Sequence, residues 1–395
     1  MSASPEVLKR GSTPKASWSL ALCAGLLGIG QNGLLVVLPQ LVEMTGLSLS
    51  VWAGLLMFGS MLFLPASPWW GRQSEIRGCK SVVLAALSGY LVSFAVMALV
   101  VWGMTTGLVS AFWGVTGLIV SRALYGLTVS GMVPAAQTWA IQRSGPENRM
   151  AALATISSGL SCGRLLGPPL AVATLNFHPQ APLWLMAVAP FLAFLLIMRQ
   201  PNDPPLPPAA HQSTRLQITM LPYLLLALLL AACISLMQLG LAPHLKPFIG
   251  EAARVSHHVA LLLSLAAAST LLAQFLVVRP QRFKAMTLLW LAALLMVAGL
   301  SMMLMAQLAV FYCGIAVTSF GAAIATPGYQ LLLNARLSTG KGAGVIATSH
   351  TLGYGLSALL VPLVSRIYGE YYLINTALLM AMAFLLLSGW LWRKG

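Results

Sequence analysis

Apolar residues run along this chain in long blocks, and polar residues gather in the short gaps between them. The blocks fall near 18–41, 50–70, 81–102, 108–134, 149–174, 182–198, 218–241, 255–278, 286–306, 308–332, 343–365 and 371–392. A helix that crosses a bilayer core needs about 20 apolar residues, so the pattern predicts an all-α membrane protein of twelve transmembrane helices. The least apolar interior stretch, 199–217, holds five prolines and the single aspartate, Asp203. Proline stiffens such a segment toward an extended spacer. It follows the sixth block, which predicts a cytoplasmic N-terminal tail (1–17), a six-helix bundle (18–198), a cytoplasmic linker (199–217) and a second six-helix bundle (218–395). Two pseudo-symmetric six-helix bundles with a site between them at mid-membrane form a transporter plan.

Composition agrees with that pattern. Of 395 residues, 58% are apolar and 7% charged, against roughly 25% charged in soluble domains. That excludes a soluble enzyme, a disordered chain and a secreted disulfide scaffold. Cys23, Cys162, Cys233 and Cys313 lie in spans and Cys79 in a loop, none at metal-ligand spacing. They read as buried small hydrophobes, with no metal and no cofactor expected. The first block is too long for the apolar core of a signal peptide and lacks a cleavage pattern, so it reads as an uncleaved helix.

The net charge of +15 could suggest a nucleic-acid partner, but the cations form small clusters between spans and no basic stripe. With the N-terminus inside, seventeen fall on the cytoplasmic side: Lys9, Arg10, Lys15, Arg72, Arg77, Lys80, Arg143, Arg149, Arg199, Arg215, Arg279, Arg282, Lys284, Arg336, Lys341, Arg393 and Lys394. Only Lys246, Arg254 and Arg366 fall opposite. The positive-inside rule then sets both termini in the cytoplasm, as a multi-pass protein of the cytoplasmic (inner) membrane in contact with lipid.

The gap after the second block runs from Trp70 through Gly71, Glu75, Arg77 and Gly78 to Lys80. Glycines permit a tight reversal there, and the cations suit the anionic leaflet. This loop resembles the G-x-x-x-D-R-x-G-R-K signature of the major facilitator superfamily. Gly71, Gly78 and Lys80 are in register and Glu75 stands where the family has aspartate, while Ile76 and Cys79 replace arginines and Arg77 is displaced by one place. Span four carries Arg122 and Gly126, similar to the family's R-x-x-x-G, continuing into Pro134, Gln137 and Glu147-Asn148-Arg149. Span five carries Gly163, Arg164, Gly167 and Pro168, similar to the core of the family's antiporter signature, with Ala171 and Val172 in place of a glycine pair. The resemblance implies a twelve-span exporter, with a charge latch in the first loop and a bend in span five that limits leakage. By motif it covers residues 18–175.

Two charges stand inside spans, Arg122 and Arg164. A buried charge in a membrane costs at least ~2.5–3.5 kcal/mol and normally faces a cavity or a partner; the alternative is an arginine bonded to carbonyls freed by nearby glycines. None of the seven acids sits deep in a span. Glu43 and His350 are the candidates for a proton relay, and both also read as ordinary structural groups. Gln31, Asn32, Gln137, Gln238, Tyr329, Gln330, His350 and Tyr354 are the polar residues available to line a site. A cavity with two arginines and no acid suits a small anionic or polar solute. The resemblance suggests a metabolite exporter, including those for citrate-type siderophores, with protons as a candidate coupling ion and a monomeric state. Multidrug or sugar efflux is the nearest alternative. A membrane enzyme or receptor is the distant one, since His257-His258 is the only other cluster and no signalling domain is present.

Overall fold

Backbone in lipid must close its hydrogen bonds within the segment, and the long apolar blocks do so as helices. The computed structural model describes residues 14–145, 148–202, 218–280, 282–305, 307–336 and 342–394. The N-terminal tail up to residue 13, Glu147, Asp203, most of the linker and Lys341 lie outside the described residues. Span one is Pro14–Thr45, span two Leu49–Met61 continued by Phe63–Arg77, and span three Cys79–Thr105. Span four is Ala111–Val129 continued by Met132–Ser144, span five Arg149–Leu175 and span six Ala181–Met198. Span seven is Leu221–Ile249, span eight Ala252–Ala273 with a π turn Gln274–Val278, and span nine Ala285–Met303. Spans ten, eleven and twelve are Leu308–Arg336, Gly342–Ile367 and Leu373–Lys394.

Eleven of these units are long and apolar enough to cross a membrane on composition alone, among the described residues. Span five is the exception. It has 27 residues, as many as span three, but glycine, serine, Arg164 and two prolines dilute its apolar character. Two structural readings of the cysteines are corrected. Cys79 is buried in the first turn of span three rather than in a loop, while Cys162 and Cys313 are exposed.

The packing repeats itself. In the first six spans, one packs on five and six, three on four and six, and two on four. Adding six to each number gives the pairs of the second bundle: seven on eleven and twelve, nine on ten and twelve, eight on ten. The bundles meet where five touches eight and two touches eleven, a pair of contacts related by the same rule, with one against eight in addition. The tightest seam joins spans one and five. A side chain on Gly163 would collide with the Gly25 carbonyl, and one on Gly167 would meet Ile29 at 2.8–2.9 Å. Small residues let helix backbones approach in lipid, where packing replaces the hydrophobic drive.

Candidate functional site

A cavity of about 930 Å³ lies between the bundles, within the ~300–1,000 Å³ usual for small-molecule sites. Most of its lining sits at mid-span or nearer the end where span six finishes and span seven starts, reaching Arg279 just past span eight, while Leu56, Met57 and Ser60 lie in the opposite, distal half of span two. The cavity therefore opens toward that end, hereafter the linker end. The bundles also touch between spans two and eleven, where span eleven packs mainly on Leu49–Met61, the distal segment of span two, and a side chain on Gly355 at mid-span would press on the Met61 sulfur.

Of the residues expected from sequence, Gln31, Asn32, Arg122, Arg164, Gln238, Gln330, His350 and Tyr354 share this lining. Three do not. Gln137 is half-buried in the second segment of span four and lies outside the lining, though Val133 of the same segment belongs to it. Tyr329 is fully buried behind His350, and Glu43 is exposed near the distal end of span one. Among the described residues the lining contains no aspartate or glutamate.

Arg122 is 4% exposed and sits among rings. Its guanidinium carbon lies 5.0 Å from the Phe94 centroid and 5.1 Å from that of Tyr125. Tyr125 follows Arg122 by three positions and so shares its helix face. Phe94 is brought close by the preceding residue, because Ser121 Oγ donates to the Ser93 carbonyl at 2.7 Å and ties span four to span three. Tyr90 stacks on Phe94 at 4.8 Å and donates to the Leu26 carbonyl at 3.0 Å. Arg122 donates one long bond, 3.4 Å to Ser121 Oγ, and its buried Nε has no acceptor. Rings surround this charge, so the reading in which backbone carbonyls hold it does not describe the structure.

Arg164 is different. Its side chain is exposed to the cavity and donates to Gln31 Oε1 at 3.3 Å. Its own carbonyl faces Pro168, which has no N–H to complete the helix bond. Asn32 Nδ2 supplies that bond instead, at 2.8 Å. Asn32 thus serves span five's backbone while bordering the cavity. At the mouth, the Arg279 guanidinium lies over the Phe275 ring at 6.0 Å.

Apart from Arg279 at the mouth, the second bundle's wall is uncharged and hydroxyl-rich. The Tyr329 hydroxyl bridges Thr326 Oγ1 at 3.1 Å and His350 Nε2 at 2.5 Å. Ser357 Oγ donates to Ser235 Oγ at 2.7 Å and joins span eleven to span seven. His257 and His258 stand near the distal end, the latter 2.8 Å from the Tyr312 hydroxyl. Among the described residues no three potential metal ligands come together.

The family described as Major Facilitator Superfamily matches residues 20–358. The chain belongs to this superfamily. The multidrug resistance protein MdtG of Dickeya zeae (strain Ech586) is 28% identical over 240 residues, covering 57% of this chain and 55% of that protein. MdtG of Escherichia coli O81 (strain ED1a) is 31% identical over 166 residues, 39% of this chain and 37% of that protein. The chain thus aligns with about half of these relatives' length or less. A peptide transporter POT solved in complex with sulfate has a TM-score of 0.74 at 14% identity, covering 96% of this chain and 94% of that one. The nucleoside transporter NupG gives 0.73 at 14%, covering 94% and 98%. These likenesses establish the fold, and with the family match they make the chain a multi-pass membrane transporter rather than an enzyme.

The superfamily motifs sit as follows. Gly78 joins spans two and three with φ +84°, a conformation glycine adopts without strain. Gly71 faces open space, Arg77 is exposed and Glu75 makes no ion pair among the described residues. Lys80 Nζ instead donates to the Met198 and Gln200 carbonyls at 3.1 and 2.6 Å and to Asn202 Oδ1 at 2.9 Å. Arg143, over the Trp139 ring at 4.2 Å, donates to Gln200 Oε1 at 3.0 Å. The superfamily loop here grips the end of span six. Gly126 packs against the Gly59 carbonyl of span two. Sequence reasoning missed Phe94, Tyr125 and Arg279, and the three-residue step from Arg122 to Tyr125 was the available signal.

Proposed function

We propose that this protein exports a small anionic or polar organic solute across the cytoplasmic membrane by alternating access, and that the structure captures the arrangement open to the cytoplasm. The observation that carries this reading is the charge of the cavity: Arg122, Arg164 and Arg279 line it with no carboxylate among them. An interior-negative potential favours outward movement of an anion by ~2.3 kcal/mol per charge per 100 mV. The seventeen-to-three cation split supports cytoplasmic termini, hence a linker end facing the cytoplasm. The working division is 18–198 and 218–395 around the 199–217 linker, acting as a monomer.

Export, rather than import, draws on relatives named multidrug resistance proteins and on the span-five motif. Efflux of several unrelated compounds is the second reading, favoured by the same names. A citrate-type siderophore would be one anion of the class, and nothing in the lining singles it out. If protons are coupled, His350 is the histidine that lines the cavity, and so the candidate to carry them.

The test compares extracellular and intracellular metabolites of cells with and without the gene, in iron-poor and iron-rich medium. Anionic compounds should accumulate inside and fall outside when the gene is absent. Accumulation confined to cations, or no difference in either medium, overturns the reading.

A further inference from the structure

We infer that Arg122 receives the head group of a singly charged amphipathic anion, a carboxylate or sulfonate on an apolar body. This inference rests on the anionic reading above and narrows it. The Phe94 and Tyr125 rings attract the charge of the guanidinium, but ring faces do little for its N–H donors. The single 3.4 Å bond to Ser121 and the unpartnered Nε leave those donors waiting for an acceptor. No lining carboxylate can supply one. A desolvated guanidinium in that state matches a ligand carboxylate, which it can bind through two parallel, charge-assisted bonds.

The other two arginines set no such demand. Arg164 is exposed and already bonded to Gln31, and Arg279 stands at the mouth over Phe275. Water screens both, so they draw anions in without selecting among them. The cavity that Arg122 borders is walled largely by apolar side chains, among them Leu34, Leu56, Met57, Met237 and Leu263. One buried anchor with apolar walls fits one negative charge and a hydrocarbon body. A compact trianion would bring two more charges into the same lining, where no second buried guanidinium meets them.

The experiment measures binding to the purified full-length protein in lipid nanodiscs, with 1-naphthylacetate, its uncharged amide and citrate as probes. Naphthylacetate should bind at least about tenfold more tightly than the amide, the scale of a charge-assisted hydrogen bond. Arg122→Gln should erase that preference, Arg122→Lys should keep part of it, and Arg254→Gln, at the distal end, should leave it intact. Thermal unfolding of each variant shows that it is folded, and the acid-to-amide ratio of the unaltered protein tests the idea without any variant. Citrate binding more tightly than naphthylacetate overturns this inference while anion export stands. Equal binding of acid and amide, with citrate unbound, overturns both.

Discussion

The two walls of the cavity share a packing plan and differ in chemistry. Spans one and five pair as seven and eleven do, yet the first wall carries two arginines deep in the membrane, while the second carries His350, Tyr354, Gln238 and Gln330 there and has its arginine, Arg279, only at the mouth. The polar bonds differ as well. On the first wall Asn32 repairs a helix bond that Pro168 removes. On the second, Ser357 and Ser235 bond one helix to another. Symmetry in this fold is kept by the seams, where backbones touch, and abandoned in the lining, where only a ligand would feel the change.

The largest effects should fall on the seams of both bundles alike. Gly163→Leu would drive a side chain into the Gly25 carbonyl, and Gly353→Leu one into the Leu228 carbonyl. Each clash lies between backbones with no flexible end to yield, so both variants should lose most folded protein, read as monodisperse yield in detergent. A tolerated Gly353→Leu would show that the seven–eleven seam is looser and the parallel incomplete. Next come the linings: Arg122→Gln with Arg164→Gln should lower transport of an anionic substrate at least about tenfold, mostly from the charged bond of ~1.5–3 kcal/mol lost at Arg122. Gln238→Ala with Gln330→Ala should cost no more than about threefold, the scale of a neutral bond; equal losses would erase the proposed division of labour.

Asn32→Ala should destabilise the protein by ~1–3 kcal/mol by orphaning the Arg164 carbonyl. Pro168→Ala restores the missing N–H, so the double variant should recover part of that loss. Additive losses would mean that the Asn32 bond is idle. The smallest effect is expected from Tyr329→Phe, which removes one hydroxyl beside His350 and should cost about 1 kcal/mol, seen as a small fall in melting temperature.

The twelve spans were legible because apolar length is a direct physical demand of the bilayer. Span five was legible too, despite its weak hydropathy, through the glycine spacing that builds its seam. The lining was harder to read. A polar residue in a span shows that a partner exists, not which side the helix turns, and Gln137 falls outside the lining that Val133, four residues before it, helps to form. Tyr329 carries the same polar signal as Tyr354 but spends it on His350 from behind. Phe94 carries no signal in the sequence, because an aromatic in an apolar run gives no sign of the charge across from it. Glu75 resembled half of a latch, and in three dimensions Lys80 reaches the span-six carbonyls instead.

A guanidinium fixed to one bundle without a matching acid has an electrical consequence. On the reading proposed here, the vacant carrier bears an unbalanced positive charge deep in the membrane, and occupancy by a monoanion cancels it. Voltage would then act on the resetting half of the cycle and ignore the delivery half. Exchange of labelled for unlabelled cargo, which never visits the vacant state, should be indifferent to membrane potential, whereas net efflux should quicken as the interior becomes more negative.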